Sequence, residues 1–199
     1  GLVVPNEEGM RPVEKNLAKA LGSMHCSAYP SNRSNISCYG EKAGIWKFLA
    51  ELQSKSYCHK PQSIPKSTNG RFYFECYPHP AIIAMLQRKM ILKYKCRHHN
   101  KADWELLLGF LKQLPIEGLS QHLDKLTLQN KSNEDKLDSI VCAYIAILWW
   151  QDGSECSSML GSMAEGYIVT PHTSEMLAKF KSVFGIWLNN DSVDPPAIY

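Results

Sequence analysis

The chain has 199 residues, 44% hydrophobic and 21% charged, with a formal net charge of +3. That is the length of one domain with enough apolar material for a substantial core, and a charge too mild to establish a nucleic-acid partner by itself. The longest apolar run, around Ile140 to Trp150, is too short to span a bilayer, and seven scattered cysteines without Cys-x-x-Cys spacing suit the reduced thiols of a cytoplasmic protein rather than a disulfide framework.

In chain order, Leu2-Val3-Val4 reads as the end of a strand and Pro5-Asn6 as a turn. "MRPVEKNLAKALG" predicts a helix with Pro12 in its first turn and Gly22 closing it, and "AGIWKFLAELQ" predicts a second. In "RFYFECYP", Phe72, Phe74 and Cys76 alternate with Arg71, Tyr73, Glu75 and Tyr77, the pattern of a strand that Pro78 ends. Helices are expected over "AIIAMLQRKM" and over residues 102–113, 117–128 and 133–150. "GYIVTP" then reads as a short strand and "SEMLAKFKSVFGIWL" as a closing helix. One domain is expected over residues 1–188, followed by a tail at 189–199. So many helices against two full strands leave a sheet too small to be a core alone. Strands are absent either from the pattern or from the chain.

The helix beginning "NEDKLDSIVCAYIA" sets Asp138 on the face of Val141 and Ile145, with Asp135 above Cys142 and Ala146. Aspartates there suit a helix N-terminus, with Ser132-x-x-Asp135 as a variant capping box. Beside strand ends they equally suit a functional site. Glu75 is either a solvent-facing strand residue or a metal-binding carboxylate. With Asp135 and Asp138 it would offer the hard oxygen ligands that Mg2+ prefers. The segment "QRKMILKYKCRHHNK" gathers basic residues that would hold phosphates or simply form a solvated connection. Lys93, Lys95 and Arg97 are its candidate phosphate ligands. Cys58-His59 and Cys96-x-His98-His99 match no standard zinc spacing, and Trp149-Trp150 reads as core.

Together these residues resemble a family of predicted RNase-H-like nucleases, catalogued as a domain of unknown function. The matches are "FECYPHP" for its Glu-x-Tyr-Pro segment and "LKYK" for its Tyr-Lys segment. "DKLDSIVCAYIA" matches its Asp-x-x-Asp-Ala-x-x-x-Ala helix, with Ser139 in place of the alanine, and "EGYIVTP" its closing Gly-x-Ile strand. "LVVPNEEGMRP" and "YPSN" resemble the segment after its Asp-x-Pro-Leu strand. The resemblance implies an α/β fold, an RNase-H-like mixed sheet flanked by helices and related to Holliday-junction resolvases. Glu75, Asp135 and Asp138 would there bind Mg2+ (or Mn2+) to hydrolyse phosphodiester bonds in DNA or RNA. It also implies a β-hairpin and two further aspartates ahead of Gly1. The fold is therefore expected to be helix-rich for want of its N-terminal strands, and the chain alone to have little or no nuclease activity while binding polynucleotide weakly and in a salt-dependent way. Two alternatives stand beside this reading: a non-catalytic nucleic-acid-binding or interaction module of the same fold, and a hydrolase of a small phosphorylated compound.

Overall fold

The computed structural model describes residues 1–185; the expected tail at 189–199 and residues 186–188 of the expected closing helix lie outside the described residues. The described architecture is mixed α/β and rich in helix. Three helices come first, α1 (Pro12–Leu21), α2 (Ile36–Tyr39) and α3 (Gly44–Ser54), then the short strands β1 (Tyr57–Cys58) and β2 (Arg71–Phe72). Helices α4 (Pro78–Met85), α5 (Lys101–Lys112), α6 (Leu119–Leu123) and the long α7 (Lys131–Asp152) follow. The strands β3 (Ser157–Ser162) and β4 (Gly166–Pro171) and the helix α8 (Ser174–Phe184) complete it. Among the described residues no helix is long and apolar enough to cross a membrane.

Local chemistry starts the main helices where the pattern predicts. Pro12 presets the backbone at the first position of α1, and the Glu14 carboxylate accepts the Arg11 N–H at 2.9 Å. The cap of α7 is Asn130 rather than Ser132, its side chain accepting the Asn133 N–H at 2.9 Å. Leu137, Val141, Ile145 and Trp149 then recur at helical spacing and are all buried. Trp149 is in the core as expected, while Trp150 is exposed at the surface.

Strands β3 and β4 form an antiparallel hairpin with Met159 opposite Val169 and Leu160 opposite Ile168. Both faces of this hairpin are covered. Met159, Tyr167 and Val169 join a core with α4, α5 and α7, whereas Leu160 and Ile168 join a second core with α1 and α8. That double burial explains why "SSMLGS" was not legible as a strand. Serines are weak strand formers and no polar face alternates with an apolar one. Gly161 and Gly166 both have positive φ (91° and 98°), and a Cβ on Gly166 would sit 2.9 Å from the Arg11 side chain.

The expected strand over Arg71–Tyr77 is corrected to two short pairings. Arg71–Phe72 runs parallel to Tyr57–Cys58, and Cys76 alone bridges to Val169 of β4. The alternation survives although the ladder does not: Phe72, Phe74 and Cys76 all pack on the α7 side. The segment leaves β1 to reach β4, so no single partner pairs with its whole length.

Glu75 therefore faces the other way, onto α1. There the Arg11 side chain, 1% exposed, donates from Nε to Glu14 at 2.8 Å and from both terminal nitrogens to Glu75 at 2.5 and 2.9 Å. Arg11 also donates to the Val3 carbonyl at 2.9 Å, and Glu75 accepts the Leu2 N–H at 2.7 Å. Glu14 holds the Ser31 N–H as well. Removing one member of a buried ion network strands the others without a partner, at about 3–5 kcal/mol. Arg11→Met is expected to lower the free energy of unfolding by that order in urea titration. Arg11→Lys, which keeps the charge but not the forked geometry, should recover only part of it.

Candidate functional site

A cleft of about 410 Å3 lies between the first turns of α7, the stretch Lys95–Arg97 and the start of α4. Lys131, Glu134 and Asp138 form the α7 wall, Tyr77, Pro78 and His79 the α4 wall, and Tyr29 stands at the rim.

The helical register of α7 decides which carboxylates enter. Glu134 precedes the buried stripe at Leu137 and is itself buried; Asp138 is half-buried on its flank; Asp135 is exposed. The expectation that both aspartates face inward is thus corrected: one residue along a helix is about 100° of rotation, which turns Asp135 outward and Glu134 inward. Even so, one oxygen from each of Glu134, Asp135 and Asp138 lies within 4.8 Å of the others, a group that could hold a metal ion. Glu75 is not among them, since it belongs to Arg11 on the other side of its segment.

Each carboxylate of the group is held by named donors. Glu134 accepts the Cys96 N–H at 3.0 Å and the Lys131 ammonium at 2.9 Å, and lies 3.2 Å from Lys95 Nζ. Asp138 accepts the Tyr94 hydroxyl at 2.6 Å and a close ion pair from Lys95. Asp135 pairs with Lys131 at 2.6 Å. One turn below Asp138, Cys142 meets the Cys76 thiol, tying the helix to the bridging segment.

These contacts set the charges. Burial alone would raise the pKa of Glu134, but the Lys131 ammonium and the Cys96 N–H and thiol outweigh it and bring it down to about 2. Burial, aided by the nearby Lys95 charge, lowers His79 to about 4, so its imidazole is neutral at pH 7. Burial and the adjacent Asp138 carboxylate raise the Tyr94 phenol, which keeps it a hydrogen-bond donor.

Of the three basic candidates, Lys95 and Arg97 line the cleft, whereas Lys93 is exposed and does not. Among the described residues, Cys96, His98 and His99 form no metal-holding group, nor do Cys58 and His59. His59 instead stacks on Tyr73 and meets the Tyr167 hydroxyl at 2.6 Å. Sequence reasoning missed Glu134, Tyr94 and His79. Glu134 had a signal, lying three residues before Leu137 and seven before Val141. Tyr94 and His79 lie within the matched segments "LKYK" and "FECYPHP", but no local pattern gave them a role, because their partners are distant in the chain.

Fold and cleft define a mixed α/β protein with a carboxylate cluster able to hold a cation. A family model described as "Protein of unknown function (DUF429)" matches residues 1–160, and the chain belongs to that family. The matched span includes Arg11, Glu75 and the whole cleft. No curated protein and no solved structure matches the chain.

Two acid-sensitive windows follow. His79 is neutral in the fold, so the stability it contributes is present above pH 6.5 and erodes as pH falls toward about 4. The Glu134 contribution is present above pH 4.5 and erodes toward about 2. In urea midpoints measured against pH, His79→Gln should reduce the slope of the first window, the rest belonging to His59 and His172, which burial also lowers, and Glu134→Gln should flatten the second, each leaving the other's slope in place.

Proposed function

We propose that this cleft is a divalent-cation-dependent site hydrolysing phosphodiester bonds in nucleic acid, carried on an RNase-H-like fold. One observation carries the reading: Glu134 and Asp138 line one cleft with the cationic side chains Lys95 and Arg97, and Asp135 stands at its edge within 4.8 Å of both carboxylates. The resemblance of the "FECYPHP", "LKYK" and "DKLDSIVCAYIA" segments supports it.

The donors suit Mg2+ or Mn2+. They are hard oxygens, and a cation entering the cluster would take the place of the Lys95 and Lys131 ammonium groups that now rest against them. Glu134, Asp135 and Asp138 would hold the cation, which supplies Lewis-acid stabilisation of phosphate charge and a water of lowered pKa. The remaining work falls to the chain's own groups. Tyr94 and the Cys96 N–H orient Asp138 and Glu134. Lys95 and Arg97 draw a phosphate into the cleft and hold it by charge. Glu75, expected from the resemblance to be a ligand, serves instead as the ion-pair partner of the buried Arg11.

A second reading, a nucleic-acid-binding module without catalysis, is favoured by the same ion pairs: with Lys95 and Lys131 in place the carboxylates are largely neutralised. Mn2+ binding and Mg2+-dependent cleavage separate the two. Cleavage is assayed on single-stranded, duplex and branched substrates with the longest form of the protein its gene encodes. Wild type is expected to bind Mn2+ and cleave. Glu134→Gln and Asp138→Asn should lose Mn2+ affinity and cut the rate by about a hundred- to a thousandfold, the scale for losing a group that stabilises transition-state charge. Polynucleotide binding with neither Mn2+ uptake nor cleavage would transfer the assignment to the binding module. Cleavage confined to small phosphate esters would make the cleft a small-molecule site.

A further inference from the structure

We infer that the cleft takes one unpaired nucleotide of a nucleic-acid strand, its base stacked on Tyr29 and its phosphate drawn to Lys95 and Arg97. The inference rests on the phosphodiester reading above and names the substrate form it requires. Size is the first constraint. About 410 Å3 is within the range of sites that enclose one small ligand. A nucleotide still stacked and paired in a duplex would have to bring its neighbours with it.

The wall chemistry supplies the second. Tyr29 is 68% exposed at the rim, packs in neither core, and is held by a hydrogen bond from Arg97 to its hydroxyl at 3.0 Å. An aromatic face open to solvent beside a guanidinium is the combination on which unpaired bases stack. Deeper in, Tyr77 and His79 continue the aromatic lining, their rings 4.9 Å apart. The Tyr77 hydroxyl reaches the Ser27 carbonyl at 3.0 Å and His79 Nδ1 at 2.7 Å. One hydroxyl proton satisfies both only if it goes to the carbonyl, which makes Nδ1–H the donor to the hydroxyl and leaves Nε2 a bare acceptor. Among the described residues Nε2 has no hydrogen-bond partner. It offers the base a place for an amino donor, a contact that pairing in a duplex would preoccupy.

The test is fluorescence anisotropy of a labelled single-stranded oligonucleotide at low salt, in EDTA and again in Ca2+, with the matching duplex, an abasic strand and adenosine monophosphate as competitors. The single strand is expected to bind at least about tenfold more tightly than the duplex or the abasic strand. Tyr29→Ala should weaken single-strand binding about tenfold, within the range for losing one base-stacking contact, while Tyr29→Phe retains it. Because Tyr29 is exposed, neither variant should alter folding or Mn2+ affinity. Equal affinity for duplex or abasic strand, or an unchanged Tyr29→Ala, would overturn the inference. Displacement by adenosine monophosphate as effective as by the oligonucleotide would overturn the assignment to a strand. Stacking-dependent binding without metal-dependent cleavage would leave this inference standing and sink the hydrolytic reading. Cleavage of duplex untouched by Tyr29→Ala would do the reverse.

Discussion

Arg11 spends its whole guanidinium on partners that are far apart in the chain: Glu14 one turn away, Val3 in the leading segment, and Glu75 beyond four further elements. A fully buried cation tolerates little rearrangement, because any lost partner leaves charge without compensation. The leading segment, α1 and the bridging segment are therefore held in one geometry. Gly166 completes the arrangement by leaving room for the arginine where a side chain would collide.

The orientation of Glu75 has a consequence across the sheet. With Glu75 turned to α1, the neighbouring Cys76 turns to α7 and pairs there with Cys142. The acidic side of the cleft must then come from α7 alone. A single helix can present carboxylates at i, i+1 and i+4 only with different degrees of burial, which is the gradient seen from Glu134 through Asp138 to Asp135. Lys95, half-buried and set over the Tyr94 ring at 4.9 Å, compensates the two more buried charges at once. The same residue thus compensates the cluster and, in the proposed reading, would also draw phosphate to it.

Much of the secondary structure was legible because it rests on local forces. Pro12 at the start of α1 and the four-residue spacing from Leu137 to Trp149 each act within a few residues of themselves. The alternation through Phe72, Phe74 and Cys76 correctly separated Glu75 from the apolar face. Strand β3 was not legible, since burial on both faces removes the alternation that marks a strand, and "SSMLGS" has no strong strand formers to replace it.

For the cleft, the amino-acid sequence alone determined that carboxylates would cluster at the start of α7 and that basic residues would follow α4, because helical spacing and charge are properties of short segments. Tertiary structure decided which of them act together. It matched Glu75 with Arg11 rather than with the aspartates, admitted Lys95 and Arg97 but not Lys93, and brought Tyr29, Tyr77 and His79 to the same opening. Those choices depend on contacts between residues tens of positions apart and on rotations of a single residue along a helix. Local periodicity says which face a side chain shares, but not what the rest of the chain places opposite it.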